Sequence, residues 1–201
     1  MEFVKETENC YVFSTACMNY KFDVPTGSHM SRRVVLCSDH RGYQLKNHVV
    51  EYLKKKLGVI IENDVGTHDD TRCDFPDYAE KATDIVSASP LEIVGIGICG
   101  SGIGMSAVGG KGVGIISARC ISPEDAAESR THVNSNFLAL GFNTLQNLYP
   151  DDPVHAAEDI VKAWMETPFE PEEPYITRFL KVLLNEKKKI SRIYYAGIVG
   201  E

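Results

Sequence analysis

Two short polar segments carry the residue types that could do chemistry in this chain. The first is Cys99-Gly100-Ser101-Gly102-Ile103-Gly104, in which a thiol precedes glycines at alternate positions. Glycines at this spacing let successive backbone N–H groups point at one spot, which forms an anion or oxyanion site beside a helix N-terminus. That setting favours the thiolate of Cys99, which could act as a nucleophile, a metal ligand or a proton acceptor. A buried structural cysteine is the alternative.

The second segment, Ser38-Asp39-His40-Arg41-Gly42, places a carboxylate beside an imidazole. Asp39 could bind sugar hydroxyls and His40 could contact an anion, although capping of the loop is the default role for such a pair. His132 is a third candidate, near the end of a helix that is predicted to begin at Ser122-Pro123. An imidazole there could serve catalysis or complement the helix dipole, and the sequence leaves both roles open.

Two other interpretations of these motifs are disfavoured. A formal GxGxxG is present at Gly95, Gly97 and Gly100, but its first glycines fall inside a predicted strand rather than in the turn after it. The position where a ribose-binding acid is expected holds Cys120, so no nicotinamide site is predicted. The six cysteines lack CxxC spacing. Reduced thiols in a cytosolic compartment are therefore expected, with structural roles for Cys37, Cys73 and Cys120.

The elements that must position these motifs alternate between short apolar runs and helical patterns. Leu45, Val49 and Leu53 repeat at four-residue spacing and predict a helix that stops near Gly58. Strands are predicted at 34–37, 59–65, 93–98, 114–118 and 137–140, and further helices at 77–88, 103–109, from 123, 153–166 and 174–188. This alternation predicts an α/β fold with a mostly parallel sheet and helices on both faces. In such a sheet, the loops after the first and third strands meet where ligands bind.

Length and composition bound the class of protein. A chain of 201 residues, 43% of them hydrophobic, suits one domain with a sizeable core. Residues 1–30 show no sustained period and end in Gly-Ser-His-Met, so they are predicted to be an extension outside the fold, tag-derived or disordered. The main domain is then expected over residues 31–189, with an apolar C-terminal arm over 190–201.

Hydropathy and charge exclude two classes of partner. No apolar run reaches the roughly 18 residues that a membrane span needs, and the N-terminus does not resemble a secretory signal. The net charge of −7 argues against broad binding to nucleic acid or to an anionic membrane surface. Any anion site must therefore be local.

Taken together, the motifs resemble the type B ribose-5-phosphate isomerases from about Val34 to Arg178. The resemblance rests on the order and spacing of SDHRGYQLK, Gly66-Thr67, DFPDYA, ICGSGIGMS and the stretch Ser129-Arg130-Thr131-His132 with Asn134 and Asn136. It implies a Rossmann-like three-layer α/β/α sandwich and a cytoplasmic homodimer with active sites at the subunit interface, a tetramer being the larger alternative. Neither a metal nor an organic cofactor is implied.

The reaction that the resemblance implies is aldose–ketose isomerisation, between ribose 5-phosphate and ribulose 5-phosphate, through an enediolate. Cys99 matches the base that carries a proton between C2 and C1, and His132 matches the residue that opens the furanose ring, reaching the neighbouring subunit's site. Ser101 is expected to stabilise the oxyanion together with backbone N–H groups. The substrate-binding residues implied are Asp39, His40, Tyr78, Gly100, Gly102, Gly104, Asn134 and Arg178.

The sequence departs from the family pattern where the phosphate is held. Val133 stands where the family has asparagine, and Asn143 stands where it has a phosphate-binding arginine. Of two C-terminal arginines, the second matches Arg178 within one residue, whereas the first falls on Glu173 or Pro174. Each lost arginine–phosphate contact could remove about 1.5–3 kcal/mol of binding.

These departures define the alternatives. Arg41 or Arg119 could supply the missing positive charge. The altered pocket could instead suit a hexose 6-phosphate such as galactose 6-phosphate or allose 6-phosphate. A non-catalytic protein that binds sugar phosphates is the third hypothesis.

Overall fold

The computed structural model describes residues 3–15 and 18–199, with side chains described as far as residue 192. Its strands are β1 (Val4–Thr7), β2 (Cys10–Ser14), β3 (Asn19–Asp23), β4 (Arg33–Ser38), β5 (Ile61–Asp64), β6 (Ile93–Cys99), β7 (Ser117–Arg119) and β8 (Phe137–Gly141). Its helices are α1 (Tyr43–Lys55), α2 (Pro76–Ala88), α3 (Ile103–Gly109), α4 (Pro123–Val133), α5 (Phe142–Leu148), α6 (Pro153–Glu166) and α7 (Tyr175–Val199). Across this part of the chain, no helix is both long and apolar enough to cross a membrane.

The central sheet confirms the predicted α/β fold. Five strands lie in the order β5-β4-β6-β8-β7, and every pairing between them is parallel. The middle strand β6 is buried at all seven positions. A continuous apolar run of this kind is typical of a strand covered by helices on both faces.

Two hydrophobic cores make the predicted three layers. On one face, α1, α4, α5 and α6 pack on the sheet, with the fully buried Trp164 among the largest side chains. The Trp164 indole donates a hydrogen bond to Ser135 Oγ at 2.8 Å, which satisfies its buried N–H. On the other face, α2 and α3 contribute Ala82 and Met105. The sheet therefore forms the middle of an α/β/α sandwich.

The first 30 residues differ from the prediction. Strands β1–β3 form an antiparallel sheet, and its Phe13 and Phe22 pack against Phe169 and Phe179 in a third core. His29 is fully buried, with Nε2 2.9 Å from the carbonyl oxygen of Ser135. Strands of four or five residues are too short to show a sustained period. Their apolar side chains are nevertheless buried, because they pack against α7.

Two helical segments also differ from the prediction. The helix expected to end at residue 188 continues to Val199, so the predicted arm over 190–201 is helical as far as the structure describes it. No glycine or proline interrupts residues 175–195, and helices usually stop at such residues. Helix α5 was not predicted, because it follows β8 directly and has no side-chain cap.

Packing of the N-terminal sheet on α7 predicts a large effect on stability. We expect Phe22→Ala to lower the free energy of unfolding by about 3–5 kcal/mol, because the ring is 2% exposed and its removal leaves a cavity. Val4 is 61% exposed, so Val4→Ala should change the same quantity by less than about 0.5 kcal/mol. Urea denaturation measures both. Equal midpoints for the two variants would contradict the packing of this sheet.

Candidate active site

The ends of two adjacent strands build the site. β4 and β6 pair in parallel, so the loops that follow Ser38 and Cys99 leave the sheet at the same edge. Gly42 lets the first loop pass close to the end of β6. A Cβ at this position would lie 2.2 Å from the carbonyl oxygen of Ile98, a separation that no side chain tolerates. The two polar segments found in the sequence therefore meet here.

The thiol of Cys99 lies inside the glycine-rich loop. Its side chain is 4% exposed, and the backbone N–H of Gly102 donates a hydrogen bond to Sγ at 3.1 Å. Gly102 has φ +75°, a left-handed conformation that suits glycine and turns the chain into α3. The N–H of Ile103 donates to Ser101 Oγ at 3.3 Å, which leaves the hydroxyl proton of Ser101 free to reach a ligand.

The other cysteines differ from Cys99 in their surroundings. Burial raises the pKa of the Cys37 thiol, and it raises the pKa of Cys120 to about 11. Both thiols therefore stay protonated near neutral pH and have the structural environment that the sequence predicted. Cys73 is half-buried and lines the same cleft as Cys99. The five cysteines in the described part of the chain are all free.

A cleft of about 650 Å³ opens above these loops, which is large enough for a sugar phosphate. Six residues predicted for the site line it, namely Asp39, His40, Cys99, Gly100, Ser101 and Gly104. The cleft is also lined by residues that were not among the predicted site residues, namely Arg41, Arg72, Cys73, Asp74, Phe75, Asn143, Thr144 and Asn147. Arg41 and Asp74 belong to motifs named in the sequence analysis, whereas no local motif contains Arg72, Cys73 or Asn147.

Asp39 and His40 are both held by backbone groups. Asp39 Oδ1 accepts hydrogen bonds from the N–H groups of Arg41 and Gly42, each at 2.9 Å. This is the loop-capping role expected by default, and it leaves the second carboxylate oxygen for a sugar hydroxyl. His40 Nδ1 lies 3.3 Å from the nitrogen and 3.2 Å from the oxygen of Cys73. These contacts fix the ring and leave Nε2 for a ligand.

Four predicted binding residues lie outside the cleft lining: Tyr78, Gly102, Asn134 and Arg178. The Tyr78 ring packs against the backbone at Gly66 and under the Lys81 ammonium, which is 5.4 Å from the ring centroid. Asn134 is 3% exposed, and its Oδ1 accepts a hydrogen bond from Arg130 Nη1 at 2.5 Å. Its Nδ2 donates to the carbonyl oxygen of Pro25 at 2.7 Å. Both ends of the Asn134 side chain are thus held by structural contacts, and its role in binding substrate stays a prediction.

His132 and Arg178 are also away from Cys99 within one chain. The His132 ring stacks on Tyr175, with centroids 4.6 Å apart and planes 8° from parallel. The Arg178 guanidinium lies 5.7 Å from the centroid of the same tyrosine ring. None of these three residues lines the cleft. We refer to them as the aromatic cluster; its Tyr175 was not predicted, although it precedes Arg178 by three residues, one helical turn.

Arg119, considered above as a source of positive charge for the phosphate, does not line the cleft. Its Nε donates a hydrogen bond to the carbonyl oxygen of Ser101 at 2.8 Å, and Nη2 lies 3.4 Å from Thr144 Oγ1. Arg119 therefore holds the glycine-rich loop from outside rather than lining the cleft.

Comparison with known proteins agrees with this arrangement. Residues 34–182 match the family described as Ribose/Galactose Isomerase. Ribose-5-phosphate isomerase B of Escherichia coli is 32% identical over 139 residues, which cover 69% of this chain and 87% of that protein. The N-terminal sheet lies before the matched region.

Solved structures give the same result. Ribose-5-phosphate isomerase B of Clostridium thermocellum is 34% identical, with a TM-score of 0.69, covering 78% of this chain and 99% of that one. The Mycoplasma genitalium enzyme with bound ribulose-5-phosphate is 30% identical, with a TM-score of 0.70 and coverage of 79% and 99%. On the strength of the shared fold, the matched residues and the cleft at the ends of β4 and β6, the chain belongs to the ribose/galactose isomerase family.

Proposed function

We propose that the protein is an aldose–ketose isomerase that interconverts D-ribose 5-phosphate and D-ribulose 5-phosphate through an enediolate. The observation that carries the proposal is the Cys99 sulfur at the end of β6, hydrogen-bonded by the loop N–H of Gly102 and open to a cleft of sugar-phosphate size. The Escherichia coli relative is named ribose-5-phosphate isomerase B, and the Mycoplasma genitalium relative holds ribulose-5-phosphate.

The chemistry needs one base and a site for negative charge. With the sugar ring open, the Cys99 thiolate takes the proton from C2, and the released electron pair forms a C1–C2 double bond with the charge on O1. The Ser101 hydroxyl and N–H groups of the glycine-rich loop stabilise this oxyanion. The thiol returns its proton to C1 while the proton on O2 passes to O1, which leaves the ketose. These proton transfers require no cofactor.

We further propose that the active enzyme is a homodimer in which the aromatic cluster of one subunit completes the cleft of the other. In that arrangement His132 opens the furanose ring and Arg178 contacts the phosphate. The support is that Arg178 is exposed and His132 partly exposed, while neither reaches the cleft of its own chain. Free cysteines throughout the described residues agree with the cytoplasmic location expected from the sequence.

A substrate panel tests the proposed reaction. We expect kcat/KM for ribose 5-phosphate to exceed that for galactose 6-phosphate and allose 6-phosphate by about tenfold or more, since a pocket built for a pentose discriminates against an extra carbon. Ketose formation from each purified sugar phosphate measures the ratio. A preference for a hexose 6-phosphate would establish that alternative. Thermal stabilisation by sugar phosphates without turnover would instead indicate a binding protein.

A further inference from the structure

The cleft contains positive charge that has no acidic partner. Arg41 and Arg72 both line it, both are exposed, and neither forms an ion pair within residues 3–15 and 18–199. Of the acidic side chains in the same lining, Asp39 already accepts two backbone hydrogen bonds through Oδ1. Guanidinium groups left unpaired in a polar cleft are suited to an anionic ligand.

Arg41 lies against the loop that follows Cys99. Its Cδ is 2.9 Å from the point that a Cβ at position 100 would occupy, so the side chain crosses directly over Gly100. Arg41 Nη1 and Asn143 Nδ2 each lie 3.6 Å from that same point. The backbone N–H of Asn143 donates to the carbonyl oxygen of Gly100 at 2.9 Å, which holds the start of α5 against the loop. Arg41 and Asn143 therefore present nitrogen donors to the same part of the cleft.

Arg119 and Arg178, two other arginines considered for the phosphate, are engaged elsewhere. Arg119 donates to the carbonyl oxygen of Ser101, and Arg178 lies over the ring of Tyr175 outside the cleft. Arg41 instead keeps its guanidinium on the cleft side, although its backbone N–H is fixed by Asp39 Oδ1 at 2.9 Å. A fixed backbone and an unpaired side chain are what a residue that grips a ligand anion requires.

We infer that Arg41 is the main phosphate-binding residue that this chain contributes to its own cleft, with His40 and Asn143 beside it. The inference rests on the proposed function, because the anion is the phosphate of the sugar substrate. The guanidinium fork can donate two hydrogen bonds to phosphate oxygens, whereas an ammonium group acts as a point charge. Arg41 thereby sets the preference for phosphorylated sugars, and Cys99 is left to the carbonyl end.

Arg41→Ala is expected to raise KM for ribose 5-phosphate by about tenfold or more and to change kcat by less than about threefold, because the phosphate is held equally in ground and transition states. The inhibition constant of inorganic phosphate should rise by a similar factor. The KM of Arg41→Lys should fall between that of the wild type and that of Arg41→Ala, since lysine keeps the charge but loses the guanidinium fork. Arg41 is exposed, and an unchanged melting temperature would show that the variants fold.

A second variant tests whether a guanidinium group placed over Gly100 from another residue can replace that of Arg41. In Arg41→Ala/Asn143→Arg, a guanidinium enters from α5 beside the same point over Gly100, and we expect KM to return to within about threefold of the original value. Lys54→Ala removes one exposed charge from α1, away from the cleft, and should leave KM unchanged.

These experiments distinguish a failure of the proposed isomerase function from a failure of the proposed role of Arg41. A wild-type protein that does not isomerise ribose 5-phosphate contradicts the proposed function. An active wild type in which Arg41→Ala keeps both KM and phosphate inhibition overturns the role of Arg41. An equal rise of KM in Lys54→Ala would also overturn it, because the effect would then be one of net charge.

Discussion

Cys99→Ala is expected to lower kcat for ribose 5-phosphate by about 10³-fold or more, because general base catalysis typically contributes between 10² and 10⁴. Among the side chains of the glycine-rich loop, the Cys99 thiol is the one proposed to take a proton from carbon and return it. KM should change little, since the residues proposed to hold the phosphate and hydroxyls remain. Measurement of ketose formation at saturating substrate gives kcat directly.

A matched control distinguishes loss of the base from loss of the fold. Cys37 is fully buried in the neighbouring strand β4, and its Sγ lies 3.9 Å from Met105 Sδ. Cys37→Ala therefore removes a similar thiol from the core, at a cost of about 1 kcal/mol of stability, and should keep kcat within about threefold. Turnover by Cys99→Ala equal to that of Cys37→Ala would refute the proposed base.

Mixing two inactive variants is expected to restore activity. Cys99→Ala removes the proposed base from the cleft, and His132→Ala removes from the aromatic cluster the imidazole that is proposed to open the ring. In a homodimer whose site combines the cleft of one subunit with the cluster of the other, a hybrid dimer keeps one intact site. Random exchange between equal amounts should therefore yield about a quarter of wild-type activity, since half of the dimers are hybrids with one working site in two.

The outcome depends on where the imidazole acts. If His132 served the cleft of its own chain, each hybrid subunit would lack one catalytic group and mixing would restore nothing. Exchange is ensured by co-expression with two different affinity tags, and sequential purification isolates the hybrid. A purified hybrid without turnover on ribose 5-phosphate would contradict the shared site.

Much of the sandwich could be predicted because its signals are local. The seven apolar residues of β6 and the four-residue spacing of Leu45, Val49 and Leu53 each lie in one contiguous segment. The same holds for helix α4, where Ser122 accepts a hydrogen bond from the N–H of Asp125 at 3.2 Å, as its cap position predicts. Hydrophobic period and capping chemistry act within a few residues, so they can be read from the chain.

The N-terminal sheet could not be predicted in the same way. β1–β3 have few residues each, and their aromatic side chains are buried only because Phe169 and the apolar face of α7 cover them. Burial of this kind depends on a contact between the two ends of the chain. Composition and period contain no information on which distant segment will cover a short strand.

The candidate site was likewise predictable from the sequence only where its contacts are local. By itself, the sequence determined the pairing of Cys99 with a glycine-rich loop, because the N–H that reaches the sulfur comes from Gly102, three residues on. Tertiary structure decided which arginine faces the ligand, since Arg41 meets Gly100 and Asn143 only through the packing of three separate strands. It also placed His132 against Tyr175 and away from the cleft. Backbone donors near a side chain are fixed by local geometry, whereas a cleft is made by residues that only the folded sheet and helices bring together.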